Sequence, residues 1–166
     1  MVDQTLFRAA MARLGAAVNI ITTDGPAGRH GLTASAVCSV TDTPPTVLAC
    51  VNRGSTAFGM LKVNGVLCVN VLAGRHEALS GRFATRGTAM GDRFAAGEWT
   101  RLDTGAPVLA DAAVALDCTV SSISEIGTHG VFFCAVRRVV LADAAEGLIY
   151  FDRAYHHLGA AMEAAR

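Results

Sequence analysis

The stretch LTASAVCSVTDTPPTVLACVN (residues 32–52) reads as two β-strands with no helix between them. Residues 32–41 form one run, Asp42-Thr43-Pro44-Pro45 stops it, and residues 46–52 form the next. Working outward, residues 17–23 (AVNIITT) are β-branched, and the turn Asp24-Gly25-Pro26-Ala27-Gly28 hairpins them to residues 32–41. Residues 54–62 read as a short helix with Ser55 or Thr56 near its start, and residues 66–72 (VLCVNVL) as a fourth strand. Strand signals resume at residues 114–123, 131–141 and 148–151. Residues 3–14 predict a helix capped by Asp3 or Thr5, with Leu6, Ala10, Met11 and Leu14 on one face. Residues 74–99 carry His76, Glu77, Arg82, Arg86, Asp92, Arg93 and Glu98, and fit two short helices with polar loops. Six to eight strands with few helices predict a mainly β domain, a barrel or sandwich. They argue against a doubly wound parallel sheet.

At 166 residues the chain has the size of one domain, residues 1–166. It is 52% hydrophobic and 17% charged, which excludes a disordered chain. Apolar residues come in short runs, so no transmembrane helix is expected, and the N-terminus lacks a secretory pattern. Fourteen basic residues balance 14 acidic ones, which disfavours nucleic-acid binding. So low a charge content suggests surface hidden in a homo-oligomer. Cys38, Cys50, Cys68, Cys118 and Cys134 form no Cys-x-x-Cys pair and sit in apolar runs. They read as reduced core cysteines of a cytoplasmic protein.

Two segments have chemical potential. Along residues 32–41 the side chains alternate, with Leu32, Ala34, Ala36, Cys38 and Val40 on one face, read as core. Thr33, Ser35, Val37, Ser39 and Thr41 make a small, hydroxyl-rich opposite face that meets either water or a flat polar ligand. Arg53-Gly54-Ser55-Thr56 opens the helix after residues 46–52, so its free N–H groups, hydroxyls and Arg53 could hold a phosphate or serve only as a cap. Glycine-rich nucleotide motifs are absent, since Gly25, Gly28 and Gly31 lie in a hairpin turn. His30, His76, His129, His156 and His157 show no metal-ligand spacing. His129, between Gly127 and Gly130 at a strand start, could project into a cleft; Tyr155-His156-His157 is a second aromatic and titratable cluster.

Several motifs in order, Gly31-Leu32-Thr33-Ala34-Ser35-Ala36, Ser39-Val40, Pro44-Pro45, Asn52, Ser55, Cys68-Val69-Asn70-Val71-Leu72, Ser80-x-x-Phe83 and a Gly-x-His at position 129, resemble the short-chain flavin reductase family. The match runs over residues 7–157. Residues 16–28 and Tyr150-Phe151-Asp152-Arg153-x-Tyr155-His156 are similar to its pyrimidine-utilisation branch; the cobalt-reducing branch of cobalamin synthesis is also similar. Many members carry Gly-Asp-His where this chain has Gly127-Thr128-His129.

The resemblance implies a split β-barrel of Greek-key type, a homodimer, and transfer of hydride from NADH (or NADPH) to FMN (or FAD), with reduced flavin passed to a separate oxygenase. It implies that Thr33, Ala34, Ser35 and Ala36, with Ser39 beside them, line the flavin ring, and that Cys50, Val51 and Asn52 flank the ring and ribityl chain. Ser55 and Thr56 would bind phosphate, and Ser80, Arg82, Phe83 and Arg86 would close the phosphate side. His129, Tyr155 and His156 would shape the nicotinamide pocket. Hydride transfer obliges no side-chain acid or base, and no metal is implied. Direct reduction of a bound corrinoid or ferric chelate, and a non-catalytic flavin-binding role, are the alternatives.

Overall fold

The computed structural model describes residues 2–159. Helix α1 (Gln4–Ala12) is followed by strands β1 (Ala16–Ala17), β2 (Asn19–Thr23), β3 (His30–Ala34), β4 (Val37–Asp42) and β5 (Pro45–Asn52). Helix α2 (Thr56–Asn64) and β6 (Val66–Val71) come next, then a 3-10 turn (Gly74–His76), α3 (Glu77–Ala84) and α4 (Met90–Ala95). Strands β7 (Trp99–Arg101), β8 (Pro107–Leu109), β9 (Val114–Ile126), β10 (His129–Leu141), β11 (Gly147–Phe151) and β12 (Ala154–Leu158) complete the order.

Seven strands form the main sheet, in the order β3-β2-β6-β9-β10-β5-β4. Its two edges, β3 and β4, are separated in the chain only by Ser35 and Ala36. A sheet whose outermost strands are joined by two residues must curl until those edges meet at that corner. No ladder pairs β3 with β4, so the barrel stays split. The long returns that place β5 beside β10 and β6 beside β2 are of the Greek-key kind. The mainly β split barrel expected from the sequence is the observed fold.

The curl buries two large cores, beside a small third cluster of Cys68, Ala106, Val108 and Ala115. Inside the curl lie Ile21, Val51, Leu61, Leu67, Val69 and Phe132, with α2 closing one end. Outside it, α3 and α4 pack Phe83 and Phe94 with Leu79 against Val18, Ile20 and Leu72. Strand β2 is therefore covered on both faces, and every residue from Asn19 to Thr23 is buried. Polar groups there find partners: the Asn70 amide donates to Ile20 O at 3.0 Å and Thr22 Oγ1 at 3.1 Å, and accepts from Leu109 N–H at 2.8 Å. At Gly31 a Cβ would fall 2.5 Å from the Phe83 ring, itself locked against Phe94 and Trp99, so glycine is what lets β3 lie this close to α3.

Several expectations need correcting. The run 32–41 is not one strand but breaks at Ser35 and Ala36, so its alternating faces do not carry through. Cys38 and Val40 are exposed, and Cys50 is half-buried; only Cys68, Cys118 and Cys134 are core thiols. Burial raises the Cys118 and Cys134 thiols to about 12, far above a reactive range. Among the described residues twelve strands replace six to eight, because the runs at 16–23 and 32–41 each divide in two and β7, β8 and β12 carry weak strand signals. Helix α1 takes Asp3 as its cap, through Leu6 N–H at 2.9 Å, yet none of its residues is buried.

Candidate functional site

Between β3 and the end of β5 lies a cavity of about 590 Å³. His30 and Leu32 form one wall, and Asn52, Ser55 and Thr56 form the other. Arg86 and Arg93, from the loop after α3 and from α4, close the third side. The second wall is a built helix start. Asn52 Oδ1 accepts from Gly54 N–H at 2.8 Å, Ser55 Oγ donates to Asn52 O at 2.7 Å, and Ser55 caps α2 through Phe58 N–H at 3.3 Å. The positive end of α2 thus faces the cavity.

The cavity is cationic and no carboxylate lines it. Arg86 has no acidic partner among the described residues. Arg93 spends its donors on backbone carbonyls instead: Phe83 O at 2.9 Å, Thr85 O at 2.8 Å, Thr88 O at 3.2 Å and Gly31 O at 3.4 Å. The positive charge remains uncompensated. Burial first, and the Arg93 charge second, lower the His30 imidazole below its ordinary value, so it is neutral at pH 7. His30 Nδ1 is buried without a hydrogen-bond partner. The Arg86 guanidinium, the Arg93 charge and a helix start around one space fit an oxyanion.

A second cavity, of about 340 Å³, opens on the other side of β3. Thr33, Ala34 and Ser35 line it with Tyr150, Arg153 and Tyr155. Ala84 lines both cavities, so they are neighbours along one edge strand. The two tyrosine rings meet edge to face at 5.3 Å, and the Tyr155 hydroxyl lies 2.9 Å from Ser80 Oγ.

Of the residues singled out from sequence, Asn52, Ser55, Thr56 and Arg86 share the first cavity. Thr33, Ala34, Ser35 and Tyr155 share the second. Ala36 lies exposed at the corner beside Ser35, Ser39 is exposed on β4, and Cys50 sits half-buried on β5. Val51 is in the barrel core. Ser80 is fully buried and bonds Glu77 O at 2.9 Å, and Phe83 is 2% exposed, so both stand behind the wall. Arg82 lines a different cavity with His76 and Glu98. His129 is exposed, opposite Asn52 in the β5–β10 register, its Nδ1 2.9 Å from Thr128 Oγ1. His156 reaches Phe151 O at 3.2 Å and lines neither cavity. Arg53 turns away from the helix start to pair with Glu125 at 2.6 Å. His30, Arg93 and Arg153 were not legible as site residues: His30 and Arg93 showed only a titratable or charged group near glycines, and Arg153 only its place in the Tyr150–His156 motif.

The model of the flavin reductase like domain matches residues 11–159. FMN reductase (NADH) RutF of Variovorax paradoxus is 59% identical over 154 residues, covering 93% of this chain and 85% of that protein. RutF of Ancylobacter novellus is 54% identical over 162 residues, covering 98% and 89%. Among solved structures, an NADH:FAD oxidoreductase of Streptomyces globisporus in complex with NAD and FAD fragments superposes with a TM-score of 0.88 at 26% identity, covering 98% of this chain and 96% of that one. The flavin reductase component of a bacterial two-component tryptophan halogenase gives 0.87 at 25% identity, covering 95% and 99%. The chain belongs to the flavin reductase like domain family.

Proposed function

We propose that this protein is an NADH-dependent FMN reductase that supplies reduced flavin to a separate oxygenase. The observation that carries the reading is the acid-free cavity bounded by Arg86, Arg93, His30 and the start of α2, in a chain of this family. FMN presents a dianionic phosphate on a flexible chain behind a flat ring. Arg86, Ser55, Thr56 and the free N–H groups of α2 would hold the phosphate, and the corner Thr33-Ala34-Ser35-Ala36 would carry the ring. When bound, the flavin accepts a hydride from the nicotinamide. The chain supplies orientation and neighbouring cavities rather than an acid or base. Tyr155 and His129 would position the nicotinamide, with His156 bracing the hairpin that bears Tyr155. Purified protein is expected to oxidise NADH with added FMN, followed by loss of NADH absorbance. No oxidation with FMN or FAD would defeat the reading.

A neutral His30 gives the flavin-free protein a signed pH dependence. Its folded-state value is depressed, so the unfolded chain binds the proton first as pH falls. The contribution is fully present above about 6.5, the unfolded value, and is lost as pH falls below it. Thermal melts between about pH 5 and 8 should show this decline, and His30→Asn should flatten it. Identical pH profiles would contradict the assignment.

A homodimer is part of the same proposal. Helix α1 exposes Leu6 (65%), Phe7 (56%) and Met11 (44%), and Leu14 (62%) just after it is exposed too, an apolar face that a second copy would cover. Light scattering at micromolar concentration should give twice 17.2 kDa; the single-chain mass would overturn it. No described helix is long and apolar enough to cross a membrane, and five free thiols suit the reducing cytoplasm.

A further inference from the structure

The connection between β11 and β12 is two residues long, Asp152 and Arg153, with Phe151 paired to Ala154. Both residues have positive φ, 45° and 64°. Two successive left-handed residues are the mark of the hairpin turn that usually holds Asn-Gly or Asp-Gly. Asp152 suits its position. Arg153 occupies the place that glycine fills without steric cost. The turn is held from outside: Asp152 N–H donates to Ala12 O at 2.6 Å, and His156 Nε2 reaches Phe151 O. Strain of this kind persists where the surroundings impose it and the side chain is put to use.

Arg153, exposed at the strained turn, lines the second cavity. No carboxylate lines that space, and Arg153 has no hydrogen-bond or ion-pair partner among the described residues. Beside it lie the Tyr150 and Tyr155 rings and the Ser35 hydroxyl. An unpaired guanidinium beside aromatic faces suits an aromatic ligand that carries phosphate. The flavin phosphate already has Arg86 and the start of α2 in the first cavity, and the shared Ala84 wall makes the two ligands neighbours. We propose that Arg153 binds a phosphate of the hydride donor, so that the hairpin turn sets preference for a dinucleotide over a phosphate-free dihydronicotinamide. This rests on the flavin reductase reading above.

The test uses Arg153→Gly and Arg153→Lys with two donors, NADH and 1-benzyl-1,4-dihydronicotinamide, which lacks phosphate. For Arg153→Gly the KM for NADH should rise about 10- to 100-fold, with kcat within about threefold. The KM for the benzyl donor and the calorimetric Kd for FMN should not change. Its melting temperature should hold or rise by up to about 4 °C, because glycine relieves the left-handed residue. Arg153→Lys, which keeps the charge and loses the fork, should fall between wild type and Arg153→Gly. Equal losses with both donors, or no change with NADH, would overturn the proposal. Weakened FMN binding would also overturn it, by giving Arg153 to the flavin phosphate. Failure of the underlying reading looks different: wild-type protein with FMN would oxidise neither donor.

Discussion

Replacing Arg93 by leucine is expected to cost roughly 2–4 kcal/mol of stability and to abolish measurable FMN binding. Its guanidinium ties Phe83 O, Thr85 O, Thr88 O and Gly31 O into one knot, joining the end of α3, the loop after it and edge strand β3. Leucine preserves much of the bulk but leaves those carbonyls without a donor. Phe83 and Gly31 are buried, so each of their carbonyls left without a donor costs about 1 kcal/mol or more, and the more exposed Thr85 and Thr88 carbonyls add less. The loop that carries Arg86 and Gly87 loses its anchor at the same time. Denaturant unfolding gives the stability loss, and fluorescence titration gives the FMN affinity. Arg93→Lys, which keeps the charge but can satisfy fewer carbonyls, should recover only part of both. A leucine variant as stable as wild type would show that the knot contributes nothing.

Arg86→Glu should have the second large effect, and a selective one. Arg86 is exposed and unpaired, so reversing its charge should leave stability within about 0.5 kcal/mol. In the cavity the change removes a charge-assisted contact and sets a carboxylate against the phosphate dianion. A charge-assisted hydrogen bond contributes about 1.5–3 kcal/mol, and repulsion adds to its loss. The Kd for FMN should therefore rise about 100-fold or more, while riboflavin, which has no phosphate, should change by less than about threefold. Added salt should narrow the gap between wild type and variant. Equal losses for FMN and riboflavin would place Arg86 at the ring instead.

Much of this architecture is legible in the sequence because it depends on local chemistry. Asp42-Thr43-Pro44-Pro45 turns β4 into β5 whatever the rest of the chain does, and Ser55 caps α2 through its own next turn. The hydroxyl-rich stretch around Thr33 and Ser35 does lie at a cavity. What sequence could not show is the corner at Ser35 and Ala36. The run 32–41 has unbroken β character, and only pairing of its halves with β2 on one side and β5 on the other divides it. Strand β12 was hidden for the opposite reason, since Tyr155-His156-His157 lacks β-branched residues and the Asp152-Arg153 turn lacks glycine. Arg93 acts through carbonyls 5 to 62 residues away, contacts that no local pattern encodes. Ser80 and Phe83 were read as facing a ligand because their spacing matched a motif, whereas α3 turns them inward to Tyr155 and to Phe94.

In the proposed site, the cavity between β3 and α2 would hold the flavin by its phosphate. Calorimetric titration of the wild-type protein with FMN and with riboflavin, at low ionic strength, decides whether it does. FMN should bind at least about tenfold more tightly, the worth of one charge-assisted contact. Equal affinity for the two flavins would contradict it.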